Sequence, residues 1–62
     1  MTIHRNPSEN SAACEVQSII YSALMDAREE FSIHSVRQDG ETGETVLVVG
    51  GLRFRVELHE IL

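Results

Sequence analysis

The order of apolar and polar positions divides the chain into a segment of helical period followed by a region of strand period. From Ala12 onward, Val16, Ile19, Ile20, Ala23, Leu24, Ala27 and Phe31 recur at spacings of three and four, winding into one apolar stripe. The spacing predicts an amphipathic helix of about five to six turns ending near Phe31. Asn6-Pro7-Ser8-Glu9 offers this helix an N-cap, a proline at its first position and a glutamate at its third. A competing start lies at Asn10 or Ser11.

Beyond the helix the period falls to two. Leu52, Phe54, Val56 and Leu58 lie on one side of an extended chain, and Arg53, Arg55, Glu57 and His59 lie on the other. Gly50-Gly51 precedes this run, and glycine alone takes positive φ at both central positions of a type I′ turn without steric cost. A tight hairpin follows, with Thr45 to Val49 as the partner strand. It sets Val49 opposite Leu52, Leu47 opposite Phe54 and Thr45 opposite Val56 on the side facing the helix.

Ser32 to Gln38 carries Ile33 and Val36 at opposite parity, so a bulge or a bend must absorb the mismatch if both face one core. The polar turn Asp39-Gly40-Glu41-Thr42-Gly43-Glu44 joins this segment to Thr45 as a second hairpin. In its simplest register Gln38 faces Thr45, Arg37 lies beside Val46 and Ser35 beside Val48.

The expected fold class is α+β: one N-terminal amphipathic helix packed across a three-stranded antiparallel meander, in the order α-β-β-β. A single domain spans residues 1–62, with 1–5 as a flexible tail and a long third strand running from Leu52 towards Ile61. Val16, Ile20, Leu24, Leu47, Phe54 and Val56 form the expected core.

Length changes the picture, because a chain of 62 residues buries only about 60% of its unfolded surface and is marginal without added support. Cys14 is the single cysteine and cannot form an intramolecular disulfide. His4, His34 and His59 are scattered along the chain without the paired spacing of a structural zinc site, so neither metal nor cofactor is expected. Self-association or a partner is the remaining support, and a homodimer is expected, either by edge-to-edge pairing of the third strand, which no proline or lysine guards, or by helix packing. The first seven residues hold no apolar region, and no run approaches the roughly 18 apolar residues of a membrane span, which leads to a soluble cytoplasmic expectation with no membrane partner.

Ten acidic residues against five basic ones give a net charge of −5, which opposes non-specific attraction to phosphate backbones. All the basic residues are arginine, a bias that a GC-rich coding sequence explains without appeal to function.

Three candidate surfaces follow. The outer sheet face would gather Arg37, Arg53 and Arg55 around Val46 and Val48, able to grip an acidic partner. It lacks the aromatic platforms of single-strand readers, which disfavours nucleic acid. Its plainer reading is a solvated face whose arginine stems cover the valines. On the helix, Cys14, Ser18, Tyr21 and Met25 form a short outward seam suited to a homodimer or a partner groove, or else are isolated residues at the margin of the stripe. An acidic surface of Glu9, Glu15, Asp26, Glu29, Glu30, Asp39, Glu41 and Glu44 could compete for a basic groove, although such residues commonly serve solubility.

Catalysis is not expected. Cys14 on a helix flank has no basic neighbour to activate it, and Glu41-Thr42-Gly43-Glu44 lacks the lysine and following helix of a phosphate loop. The composite expectation is a small acidic, non-enzymatic protein-interaction module. By analogy of size and charge it would act as an inhibitor or regulator of another protein, as phage-encoded inhibitors and antitoxins do. The alternative is a homo-oligomeric structural or assembly subunit, followed by a nucleic-acid binder using the outer sheet face.

Overall fold

A computed structural model describes residues 2–5 and 10–61. The elements follow in the order β1 (Thr2–Arg5), α1 (Ser11–Ala27), β2 (Ile33–Gln38), β3 (Thr45–Val49), β4 (Leu52–Arg55) and β5 (Leu58–Ile61). Two sheets result: an antiparallel meander β2-β3-β4, and a separate antiparallel ribbon of β1 with β5. The α+β class and the helix on a three-stranded meander are as the pattern predicts.

The helix starts at the later of its two candidate caps. Asn10 is extended and its side-chain oxygen accepts from the amides of Ala12 and Ala13, satisfying two of the donors a helix start leaves orphaned. The alternative cap at Asn6 to Glu9 lies outside the described residues. Regular helix ends at Ala27, and helical turns continue to Phe31, whose amide donates a hydrogen bond to the Ala27 carbonyl. Ser32 then takes a left-handed conformation (φ 56°) and the Ile33 amide reaches back to the Arg28 carbonyl. This reversal resembles a Schellman stop, with serine where glycine is the easier residue.

Both hairpins form in the expected register. Gly50 and Gly51 have φ of 60° and 79°, the signs a type I′ turn requires. Val49 faces Leu52 and Leu47 faces Phe54. On the other side of β3, Arg37 faces Val46, Ser35 faces Val48 and Gln38 faces Thr45. The register shifts between Ile33 and Ser35, so His34 is the extra residue of a bulge that brings Ile33 and Val36 to the same face despite their parity.

Two expectations are corrected at the ends of the chain. Residues 2–5 are not a loose tail: Thr2, Ile3, His4 and Arg5 pair with Ile61, Glu60, His59 and Leu58. The long third strand is also broken, ending at Arg55 and resuming as β5 at Leu58. The break falls where β3 has no further residue to offer. Val56 still donates its amide to the Thr45 carbonyl, but its own carbonyl accepts from the side chain of Gln17.

Gln17 also resets the core. Its side chain is fully buried, and its Oε1 accepts from the Thr45 amide (3.0 Å) and hydroxyl (2.7 Å), while Nε2 donates to the Val56 carbonyl (2.9 Å). Holding this amide against the start of β3 turns Ala13, Gln17, Ile20, Leu24 and Ala27 towards the sheet. Val16 and Ile19 stay exposed on the other margin of the stripe. The helix packs on β2 and β3, so Ala13 and Val36 are the buried apolar residues among those described. Val16 and Phe54, expected in the core, are 43% and 49% exposed, whereas Ile20, Leu24, Leu47 and Val56 are half-buried.

Candidate functional site

The outer sheet face assembles largely as the register requires. Arg37, Asp39, Val46, Arg53, Phe54 and Arg55 line a groove of about 370 Å³, and Val48 continues the face between Ser35 and Arg53. Its arginines are not equivalent. Arg55 is committed to Glu44 (3.0 Å) and lies 3.7 Å from Asp39, and Arg37 acts on Asp39 through its charge. Arg53 has no ion pair among the described residues.

Asp39 organises the loop between β2 and β3. Its carboxylate accepts from the amides of Glu41 (2.7 Å) and Thr42 (3.1 Å), an Asx turn that fixes the loop path. Those two bonds hold its pKa below the ordinary value. Partial burial opposes them, and the charges of Arg55 and Arg37 add to the lowering.

Glu44 leaves the predicted acidic surface altogether. It is 3% exposed, with Oε2 at 2.7 Å from His4 Nε2 and Oε1 at 3.0 Å from Arg55. Burial alone would raise its pKa, but the hydrogen bonds and charges of His4 and Arg55 outweigh that and hold the carboxyl below the ordinary value. Glu15, Asp26, Glu29, Glu30 and Glu41 are exposed as expected, and Glu9 lies outside the described residues.

The helix seam divides. Cys14 and Ser18 are exposed, but Tyr21 and Met25 are half-buried. A continuous outward seam is therefore not formed. Cys14 has no side-chain partner among the described residues.

The structure brings together a group that chain spacing concealed. His4 and His59 face each other across the β1–β5 ribbon, with ring centroids 5.3 Å apart and planes inclined by 48°. His59 Nε2 lies 3.5 Å from Glu57 Oε2. The donor atoms of His4, Glu44 and Glu57 all fall within 4.8 Å of one another. Positions 4, 44, 57 and 59 carry no motif spacing, and the sole sequence signal was that histidines stand in strand-compatible segments near both ends.

A different surface lies at β4. This strand is the edge of the meander, and no strand among the described residues pairs with its outer side. The ladder alternates from the tight turn, with Val49 and Leu52 as its first hydrogen-bonded pair, so the backbone groups of Arg53 and Arg55 point to the open edge. Leu52 (64%) and Phe54 (49%) are exposed beside it, on the sheet face that the helix covers at β2 and β3 but beyond the helix itself.

The chain matches no protein-family model, no characterised protein and no solved structure. No helix among the described residues is long and apolar enough to cross a membrane.

Proposed function

We propose that the chain is a small, non-enzymatic interaction module that binds another protein by adding one of that protein's extended segments to the free edge of β4. The observation that carries this reading is the unpaired edge bordered by exposed Leu52 and Phe54. Open strand edges are templates for pairing, and natural proteins guard them with bulges, prolines or lysines. The β2 edge has its bulge at His34. β4 carries neither a bulge nor a proline, and its charged guards are the arginines alone.

Charge selects the partner. If β4 paired with a second copy, residues of equal parity would face each other, so Arg53 would meet Arg53 or Arg55 of that copy, and like charges directly opposite are unfavourable. A segment alternating apolar with acidic residues meets both faces instead. Its apolar positions cover Leu52 and Phe54, and its carboxylates face Arg53, whose guanidinium is not taken by an ion pair among the described residues. Occupying such a segment is how so small a chain would inhibit or regulate its partner.

Amide exchange tests this with defined probes. In the free chain the Arg53 and Arg55 amides should exchange much faster than those of Leu52 and Phe54. A synthetic peptide alternating valine and glutamate should slow them, and one alternating valine and lysine should not. Exchange unaffected by the first peptide at millimolar concentration overturns the reading. Slowing that depends on the concentration of the chain alone also overturns it, in favour of a homo-oligomeric subunit.

A further inference from the structure

We propose that His4, Glu44, Glu57 and His59 form a binding site for a divalent transition-metal ion of the zinc class, tying the β1–β5 ribbon to the three-stranded sheet.

Four segments supply the donors: β1, the loop before β3, the link between β4 and β5, and β5 itself. The antiparallel register sets the two imidazoles directly opposite each other on one face of the ribbon. Around a tetrahedral ion with bonds of about 2.0–2.2 Å, donor atoms stand about 3.3 Å apart. The 2.7 Å gap from His4 to Glu44 opens slightly to admit the ion, the spacings among His4, Glu44 and Glu57, up to 4.8 Å, close by side-chain rotation, and His59, whose Nε2 is 3.5 Å from Glu57 Oε2, turns in as the fourth donor.

The surroundings fit a cation. Among the described side chains, Glu44 and Glu57 present two carboxylates against the guanidinium of Arg55, which leaves the cluster negative when the imidazoles are neutral. Arg55 holds Glu44 Oε1, fixing the carboxylate so that Oε2 faces His4, as an outer-shell partner orients a ligand. Glu44 is the buried anchor, with 4% side-chain exposure, and His4 at 41% and Glu57 at 49% leave an entry path. Two imidazole nitrogens and two carboxylate oxygens suit zinc and its first-row neighbours. Calcium and magnesium demand all-oxygen sets, and copper(I) demands sulfur. A four-donor protein set is that of a structural ion, which stabilises whatever fold presents it.

Calorimetry on the tag-free chain at neutral pH, with Zn²⁺ as probe and Mg²⁺ as control, reads the site. One Zn²⁺ should bind per chain and the thermal midpoint should rise, returning to its starting value with chelator. His4→Gln and Glu57→Gln should each weaken binding by at least about tenfold, whereas His34→Gln, in the β2 bulge, should leave it unchanged. Should His4→Gln loosen the ribbon, the wild-type chain still decides, because equimolar Zn²⁺ should shift the ring resonances of His4 and His59 and not those of His34. Equal affinity in the ligand variants, ring resonances that do not move, or the same response to Mg²⁺ would overturn the site.

Discussion

Gln17 Oε1 accepts two hydrogen bonds from one residue, the amide and the hydroxyl of Thr45, at 3.0 and 2.7 Å. With Nε2 on the Val56 carbonyl, this helix side chain acts as a missing strand residue where β3 and β4 run out. Gln17→Leu keeps the bulk and removes every partner. Each orphaned buried group costs about 1–3 kcal/mol, so chemical denaturation should show a loss large for so small a domain. Combining it with Thr45→Val should cost much less than the sum of the two, and simple additivity would mean the groups do not act together.

The tight turn makes a conformational prediction free of packing. A Cβ at Gly50 or Gly51 would meet nothing within 4 Å, so the cost of substitution there comes from positive φ alone. Gly50→Val and Gly51→Val should each lower stability by about 1–2 kcal/mol or more. Gly50→Asn should be nearly neutral, because asparagine tolerates the left-handed region. Equal thermal midpoints for Val and Asn variants would rule out a type I′ turn.

Ser32 gives the opposite sign. It carries a left-handed φ of 56° at the end of the helical turns, and glycine removes the strain. Ser32→Gly should raise stability by about 1 kcal/mol. A thermal midpoint that falls instead would show that the serine is held there by something other than the turn.

Acid sensitivity should centre on Glu44. Its pKa is below the ordinary 4.5 in the folded chain, so the unfolded state binds the proton more readily. The stabilisation is complete above the unfolded value and is lost as pH falls below 4.5 through the lower folded value. Glu44→Gln should flatten that part of a stability profile measured between neutral and strongly acidic pH, and an unchanged acid limb would place the titration elsewhere.

Phe54 separates burial from recognition. A buried phenylalanine loses about 3–5 kcal/mol on truncation to alanine, but Phe54 is half exposed. Phe54→Ala should therefore unfold at a midpoint near wild type while weakening capture of the valine-glutamate peptide. A loss in the full range for a buried ring would return Phe54 to the core.

The legible parts of the fold were those set by local chemistry. Gly50-Gly51 specified its turn, alternation specified which side of β4 each residue takes, and the conflicting parity of Ile33 and Val36 announced the bulge at His34. What escaped depends on distant partners. Alternation continues unbroken from Leu52 to Leu58, so nothing local marks the break at Val56, which a helix side chain imposes. The apolar stripe was broad enough for several helix orientations, and a polar residue inside it chose among them. On the outer face the gathering of Arg37, Arg53 and Arg55 was readable from register, but the withdrawal of Arg55 onto Glu44 was not. That pair needs the loop path that Asp39 sets.

The β1–β5 ribbon joins Thr2 to Ile61 and His4 to His59, residues separated by nearly all of the described chain. Such pairing carries the greatest loop-closure entropy in the molecule, whereas each hairpin of the meander closes a short loop. The meander can therefore order early, and the ribbon zips only onto a scaffold already built. During synthesis that last step waits until residues near 61 have emerged. A ribbon that closes last is also the part most ready to open locally, so the His4–His59 pair reports whether the chain has completed folding, and a ligand held between them would act as a latch on that final event.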